Sequence, residues 1–162
     1  ILSGCADWQE LSQYGPPYWR PRSTAELRRK ISASSGPQVA SEYNFVVMHD
    51  TGISNGVTES RAVGECSVHG IDWRNRIGQI GICIWHPEDR HQGSGQEATT
   101  QIIDWAFGYL GLQTLEVWIV EGNQPSLHMF AKLGFEQEGV LRGRYRQAGE
   151  LKSMAVFARS AL

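Results

Sequence analysis

Apolar and polar positions along the chain change period more than once, and each change marks a new element. Residues 1–22 carry no regular period: Trp8, Tyr14, Tyr18 and Trp19 surround a Gly15-Pro16-Pro17 break of the kind that punctuates helices. Ser23-Thr24-Ala25-Glu26 then has the S-x-x-E spacing in which a hydroxyl and a carboxylate satisfy orphan amides at a helix start. Helix formers run on through Ile31, and Ser34-Ser35-Gly36-Pro37 ends the run. From Glu42 the texture is that of strands. Tyr43–Met48 is rich in β-branched and aromatic residues, and Thr51–Gly56 reads as a loop. Ala62–Ile71 alternates, with Cys66 and Val68 on one face and Glu65, Ser67 and His69 on the other. After a polar turn over Asp72–Gly78, the apolar run Gln79–Trp85 predicts a strand covered on both faces.

Helical spacing appears after Gly93-Ser94-Gly95, where Ala98, Ile102, Trp105, Ala106 and Tyr109 recur on one face and Gly111 offers a stop. Thr114–Val120 reads as a strand, Pro125–Leu133 as a short helix, and Gly139–Tyr145 and Leu151–Ala158 as strands joined by a turn over Gln147–Glu150. This order predicts a single α/β domain over residues 1–162, built on a mixed, mostly antiparallel sheet. Its length of 162 residues fits one domain.

Composition removes several classes of function. With 15 Lys and Arg against 17 Asp and Glu, the net charge of −2 lacks the basic footprint of a dedicated nucleic-acid binder. No run approaches the ~20 apolar residues of a membrane helix, and no charged-then-apolar leader is visible, so neither a span nor a secretory signal is expected. Cys5, Cys66 and Cys83 form no CxxC pair; the simplest expectation is a reduced, cytoplasmic protein without a metal. The chain opens at Ile1 without a methionine, so its native start is left open.

Candidate chemistry concentrates between Gly81 and Ala98, where a strand, a glycine loop and a helix follow one another. Glycines let the backbone approach a ligand, and the helix start adds unpaired N–H groups and a favourable dipole, an anion cradle suited to a pyrophosphate. Arg90 adds positive charge at the loop entrance. A lone Gly-x-Gly would read as turn glycines. A Walker loop is excluded because Gln96 follows Gly95, and a Rossmann unit would open a parallel βαβ rather than follow antiparallel strands.

Arg90-x-x-Gly93-x-Gly95 resembles the Q/R-x-x-G-x-G/A signature of the GNAT superfamily of N-acetyltransferases. Asn123-x-x-Ser126-x-x-x-Phe130-x-Lys132-x-Gly134-Phe135 is similar to that family's N-x-x-A-x-x-x-Y-x-K-x-G-F helix, and Glu138-Gly139 with the closing hairpin also fits. The texture is nearest the ribosomal-protein and spermidine/spermine acetyltransferase branch. The resemblance covers residues 42–160 and implies a sheet that splays at an acetyl-CoA site, flanked by helices. It implies that backbone groups of Ile82, Cys83, Ile84 and Trp85 hold the pantetheine arm and the thioester carbonyl. It assigns the pyrophosphate to amides of Gln92, Gly93, Ser94 and Gly95 with Arg90, the pantetheine to Asn123, and the cofactor's outer end to Ser126 and Lys132. Alone, Asn123 would read as a loop residue and Lys132 as a solvated helix face.

Two departures from the family pattern stand out. Only residues 1–22 precede the capped helix, so the family's first strand is missing or remodelled. Phe130 occupies the position of a tyrosine held to protonate the departing thiolate. A thiol pKa near ~8.5 makes the thiolate a tolerable leaving group at neutral pH. The loss therefore slows the reaction by the ~10²–10⁴-fold typical of acid catalysis without forbidding it. For the base that takes the amine's proton, Glu65 is the first candidate, a carboxylate in an otherwise apolar strand; His69 on the same face and Glu121 follow. An exposed, merely solvated face is the plain alternative for each. Arg142, Arg144 and Arg146 alternate, which predicts one shared face, read as solvated; turned to the acceptor, it would favour an anionic one. The expected activity is direct acetyl transfer from acetyl-CoA to a primary amine of a small molecule or a protein N-terminus. The alternative is a non-catalytic acyl-CoA-binding module of the same fold. A homodimer is left open.

Overall fold

A computed structural model describes residues 23–33, 39–54 and 57–161. The readings made for residues 1–22 and for the helix end at Ser34–Pro37 lie outside them. Helix α1 spans Thr24–Ala33, and its start is the predicted one: the Glu26 amide donates to Ser23 Oγ at 3.1 Å. Strands β1 (Tyr43–Ser54), β2 (Val57–Asp72) and β3 (Ile77–Ile84) form an antiparallel meander. Helix α2 (Ser94–Gly108) leads into β4 (Thr114–Val120), helix α3 (Gln124–Lys132) follows, and β5 (Glu136–Gln147) and β6 (Glu150–Ser160) close the chain as a hairpin. The sheet order is β1-β2-β3-β4-β6-β5, and among the described residues only β3 and β4 pair in parallel. The fold is therefore the expected mixed, mostly antiparallel one.

The core lies where α2 and α3 cover one face of the sheet. Cys66 and Val68 of β2, Ile80 of β3, and Leu115, Val117 and Ile119 of β4 meet Ile102, Ile103 and Ala106 of α2 and Phe130 of α3. Trp105 of α2 reaches the sheet edge, its ring edge-on to Tyr43 and Phe45 at 5.1 Å from each.

One element differs from expectation. Thr51–Ser54, read as part of a loop, continues β1, and β2 begins at Val57. Cross-strand pairs such as Gly52↔Glu59 and Ile53↔Thr58 extend the ladder there. Backbone pairing overrides the low strand propensity of a Gly- and Ser-bearing stretch, because each strand supplies the other's partners.

Candidate active site

Strands β3 and β4 pair over only three positions, Ile77↔Thr114, Gly78↔Leu115 and Gln79↔Glu116. Beyond these, Ile80–Ile84 pair with β2 alone and Val117–Val120 with β6 alone, so the sheet opens into a split. From Gln79 at its closed end to Trp85 at its mouth, the chain advances about 20 Å. Both strands run in the same direction and each is followed by a helix starting at the mouth, which is where open α/β sheets bind ligands.

The loop at that mouth is held from several sides. The Trp85 amide donates to Val63 O at 2.9 Å, and a short 3-10 turn follows over Pro87–Asp89. Gly93 caps α2 with φ +91°, a left-handed conformation that L side chains rarely adopt, and it brings no side chain to cover the first amides of the helix. Ser94 Oγ lies 3.0 Å from Nδ1 of His49, which ties the helix start to β1. Asp89 is buried beneath the loop and accepts from both terminal nitrogens of Arg61, the Nη1 bond being 2.9 Å.

That pair sets a pH dependence. Hydrogen bonding from Arg61 holds the Asp89 carboxyl below its ordinary value. The pair's stabilisation is therefore complete above the ordinary carboxylate pKa of about 3.9 and is lost as pH falls through the lower, folded value. Arg61→Met should melt below wild type near neutral pH, and the gap should close as acid protonates Asp89. A gap that stays constant down to about pH 3 would show that the pair does not secure the loop.

Arg90, at the loop entrance, is tied to the end of β3. Its Nε donates to Ile84 O at 3.1 Å and an Nη to Trp85 O at 2.8 Å, so the guanidinium clamps the end of β3 while keeping its charge at the mouth. Gln92 is exposed beside it; Ile82, Cys83 and Ile84 end β3, and Trp85 follows directly. Across the mouth, Asn123 caps α3, its Oδ1 accepting from the Ser126 amide at 3.4 Å. Lys132 is not gathered with these residues; it is exposed on the last turn of α3, about 13 Å along the axis from Asn123. Phe130 is buried, with its ring edge-on to Phe135 at 5.1 Å.

The indole Nε1 of Trp85 is buried and has no partner among the described residues. An orphaned donor of this kind is costly unless a ligand supplies an acceptor. Together with uncapped helix amides, the clamped cation and an open strand edge, it fits an elongated ligand bearing phosphate and amide oxygens.

The sheet face away from α2 carries the candidate bases. Glu65, Ser67 and His69 are half-buried there, in register with Cys83, Gly81 and Gln79 of β3. Leu115, Val117 and Ile119 point into the core, so Glu116 and Trp118, alternating with them, share this outer face. Sequence reasoning missed these two; their alternation with core residues was the available signal. Trp118 Nε1 donates to Glu116 Oε2 at 3.2 Å. Glu121 is exposed just past β4 and accepts from the Ser153 amide at 3.4 Å. Arg142, Arg144 and Arg146 are all exposed. The register is irregular between Leu141 and Tyr145, and both of these pack with Val120 and Met154 on the Trp118 side, so the arginines that alternate with them lie on the other face.

A family model described as an acetyltransferase (GNAT) domain matches residues 1–136. The chain belongs to this family. The GNAT chain is 38% identical over 80 residues to the human alpha/beta-tubulin-N-acetyltransferase 9, covering 49% of this chain and 39% of that protein. It is 31% identical over 98 residues to the uncharacterized N-acetyltransferase p20 of Bacillus licheniformis, covering 59% and 53%. It thus spans about half or less of the curated relatives it matches. A spermidine N-acetyltransferase from Vibrio cholerae, solved in complex with CoA and spermine, superposes with a TM-score of 0.75 at 18% identity, over 94% of this chain and 83% of that one. That likeness bears on the fold. The acyl donor of GNAT enzymes is acetyl-CoA, which matches the ligand chemistry of the split. Among the described residues no helix is long and apolar enough to cross a membrane.

Proposed function

We propose that this GNAT chain transfers an acetyl group from acetyl-CoA to a primary amine, and that the opening of the sheet between β3 and β4 is where it does so. The observation that carries the reading is the coincidence of that split with two helix starts and the glycine loop at its mouth. When bound, acetyl-CoA supplies an acyl group activated as a thioester. Loop amides at Gln92–Gly95 and the Arg90 charge bind its diphosphate, the end of β3 over Ile82–Ile84 with Trp85 aligns its amide-bearing arm, and the Trp85 indole donates to it. Asn123 and Ser126 flank the arm from the β4 side.

The amine approaches from the outer face. Glu65 and Glu116 place carboxylates there, and the Trp118 ring lies beside Glu116. A carboxylate with an indole attracts a cationic amine, whereas Arg144 and Arg146, turned to the opposite side, offer nothing to an anionic one. Acceptors of two kinds occur in relatives' names, tubulin and spermidine; the acidic face supports the small cationic amine. Cys66, a buried free thiol, suits a reducing, cytoplasmic setting.

Acetyl-CoA at a hundredfold excess over its Kd should stabilise the protein by about 2.7 kcal/mol, raising Tm by roughly 5–10 °C. A panel of amines should then release CoA thiol, with cationic amines preferred, and Gly93→Trp should lose both responses. Binding without thiol release for any amine would establish the acyl-CoA-binding module instead. No Tm shift with acetyl-CoA or CoA would end the reading altogether.

A further inference from the structure

We propose that His69, held by Ser67 above Gly81, is the group that takes the acceptor amine's proton. The inference rests on the split being the acyl-transfer site, and it replaces Glu65 as the first candidate. His69 is in register with Gln79, and Gln79 with Glu116, so His69 belongs to the last row before β3 and β4 part. Glu65, level with Cys83, lies four residues further toward the mouth.

Glycine at position 81 makes the arrangement. A Cβ there would lie 2.9 Å from Ser67 Oγ and 3.4 Å from His69 Cε1, so both side chains lean over the β3 backbone where the cofactor arm would run. Ser67 Oγ is 3.2 Å from His69 Nδ1. With Nδ1–H donating to the hydroxyl oxygen, the neutral tautomer keeps its lone pair on Nε2. That nitrogen is the proton acceptor; Ser67 is a positioning residue.

The step exchanges the acyl carbon's bond to sulfur for one to nitrogen. The amine lone pair forms the new bond, the C–S pair leaves on sulfur, and the proton shed by nitrogen goes to Nε2 and then to solvent. An imidazole already neutral at physiological pH is what this requires. Burial pushes the His69 value below its ordinary 6.5, Lys30 of α1 pushes it the same way, and Glu42 opposes them. This face also carries Glu65 on the same strand, Glu116 across β3 and, on β6, Lys152 paired with Glu150.

The test combines a titration without cofactor and kinetics with it. The His69 ring signal, followed by NMR in the free protein, should titrate below 6.5. In Ser67→Ala it should titrate lower still, because the imidazolium loses a charge-assisted bond, and Ser67→Thr should restore it. In the amine assay, the rate should fall as pH drops through the same midpoint. His69→Gln should lose about 10²–10⁴-fold in kcat, abolish that acid limb and keep the Tm response to acetyl-CoA. That retained response also certifies the variant's fold; if it is lost, Ser67→Ala against Ser67→Thr decides on the ring titration and the limb. A ring titration indifferent to Ser67, or a His69→Gln enzyme with wild-type rate and limb, overturns the assignment while leaving acetyl transfer intact. Failure of acetyl-CoA to bind the wild type would instead remove the functional reading beneath it.

Discussion

Gly64→Ala should cost about 3 kcal/mol of stability, the upper end for overpacking, and should take acetyl-CoA binding with it. Gly64 pairs with Ile84 at the mouth end of β2 and β3. A Cβ there would overlap the carbonyl oxygen of Cys83 and come within 2.8 Å of Ile84 Cδ1. A side chain can rotate away, but a strand carbonyl cannot, so relief requires moving Cys83 and Ile84 themselves. Those residues form the edge proposed to align the cofactor, and a displacement near 1 Å costs about 10²-fold in catalysis. Thermal melts with and without acetyl-CoA read both effects. A variant with wild-type Tm and an undiminished ligand shift would mean that β2 and β3 have slack at this point and that the edge is not a precise template.

The second large effect is expected at Phe130→Ala. The ring is 1% exposed and packs edge-on against Phe135, under the helix that follows β4. Truncation removes its burial and leaves a cavity that α3 can only partly close, a loss of about 3–5 kcal/mol. For a chain of this size that lowers Tm by roughly 6–20 °C. Phe130→Tyr should lose less, about 1–3 kcal/mol, since it keeps the ring and adds a hydroxyl to an apolar setting. A tyrosine variant as stable as wild type would show that the hydroxyl reaches a partner, and a concurrent rise in turnover would identify the departing sulfur as the group it serves.

Local signals carried most of the secondary structure. The capping serine at Ser23, the alternation around Cys66 and Val68, the helical spacing from Ala98 and the turn before Glu150 each depend on near neighbours, and each is realised. What escaped was set by partners distant in sequence. Arg61 finds Asp89 28 residues away, and His49 finds Ser94 across 45, with no local pattern announcing either. Thr51–Ser54 looked like a loop because strand pairing, not propensity, decides such a segment. At the candidate site, the glycine loop was legible as motif, whereas the use of Arg90 as a clamp and the company of Ser67, His69 and Gly81 required the strands to be laid side by side.

The three-position junction between β3 and β4 also says something about how such a sheet is assembled. Strands β1–β3 close on one another through consecutive antiparallel pairings, and β5 and β6 do the same through a tight hairpin that also receives β4. Contacts within β1–β3 and within the β5–β6 hairpin join segments near in sequence, whereas the parallel seam and the pairing of β4 with β6 each close only after an intervening helix has been threaded back over the sheet. Loop closure of that kind is slow relative to hairpin formation. The seam joins the two half-sheets over three positions, the narrowest pairing in the described sheet, so whatever ligand bridges the split adds contacts where the sheet itself has fewest.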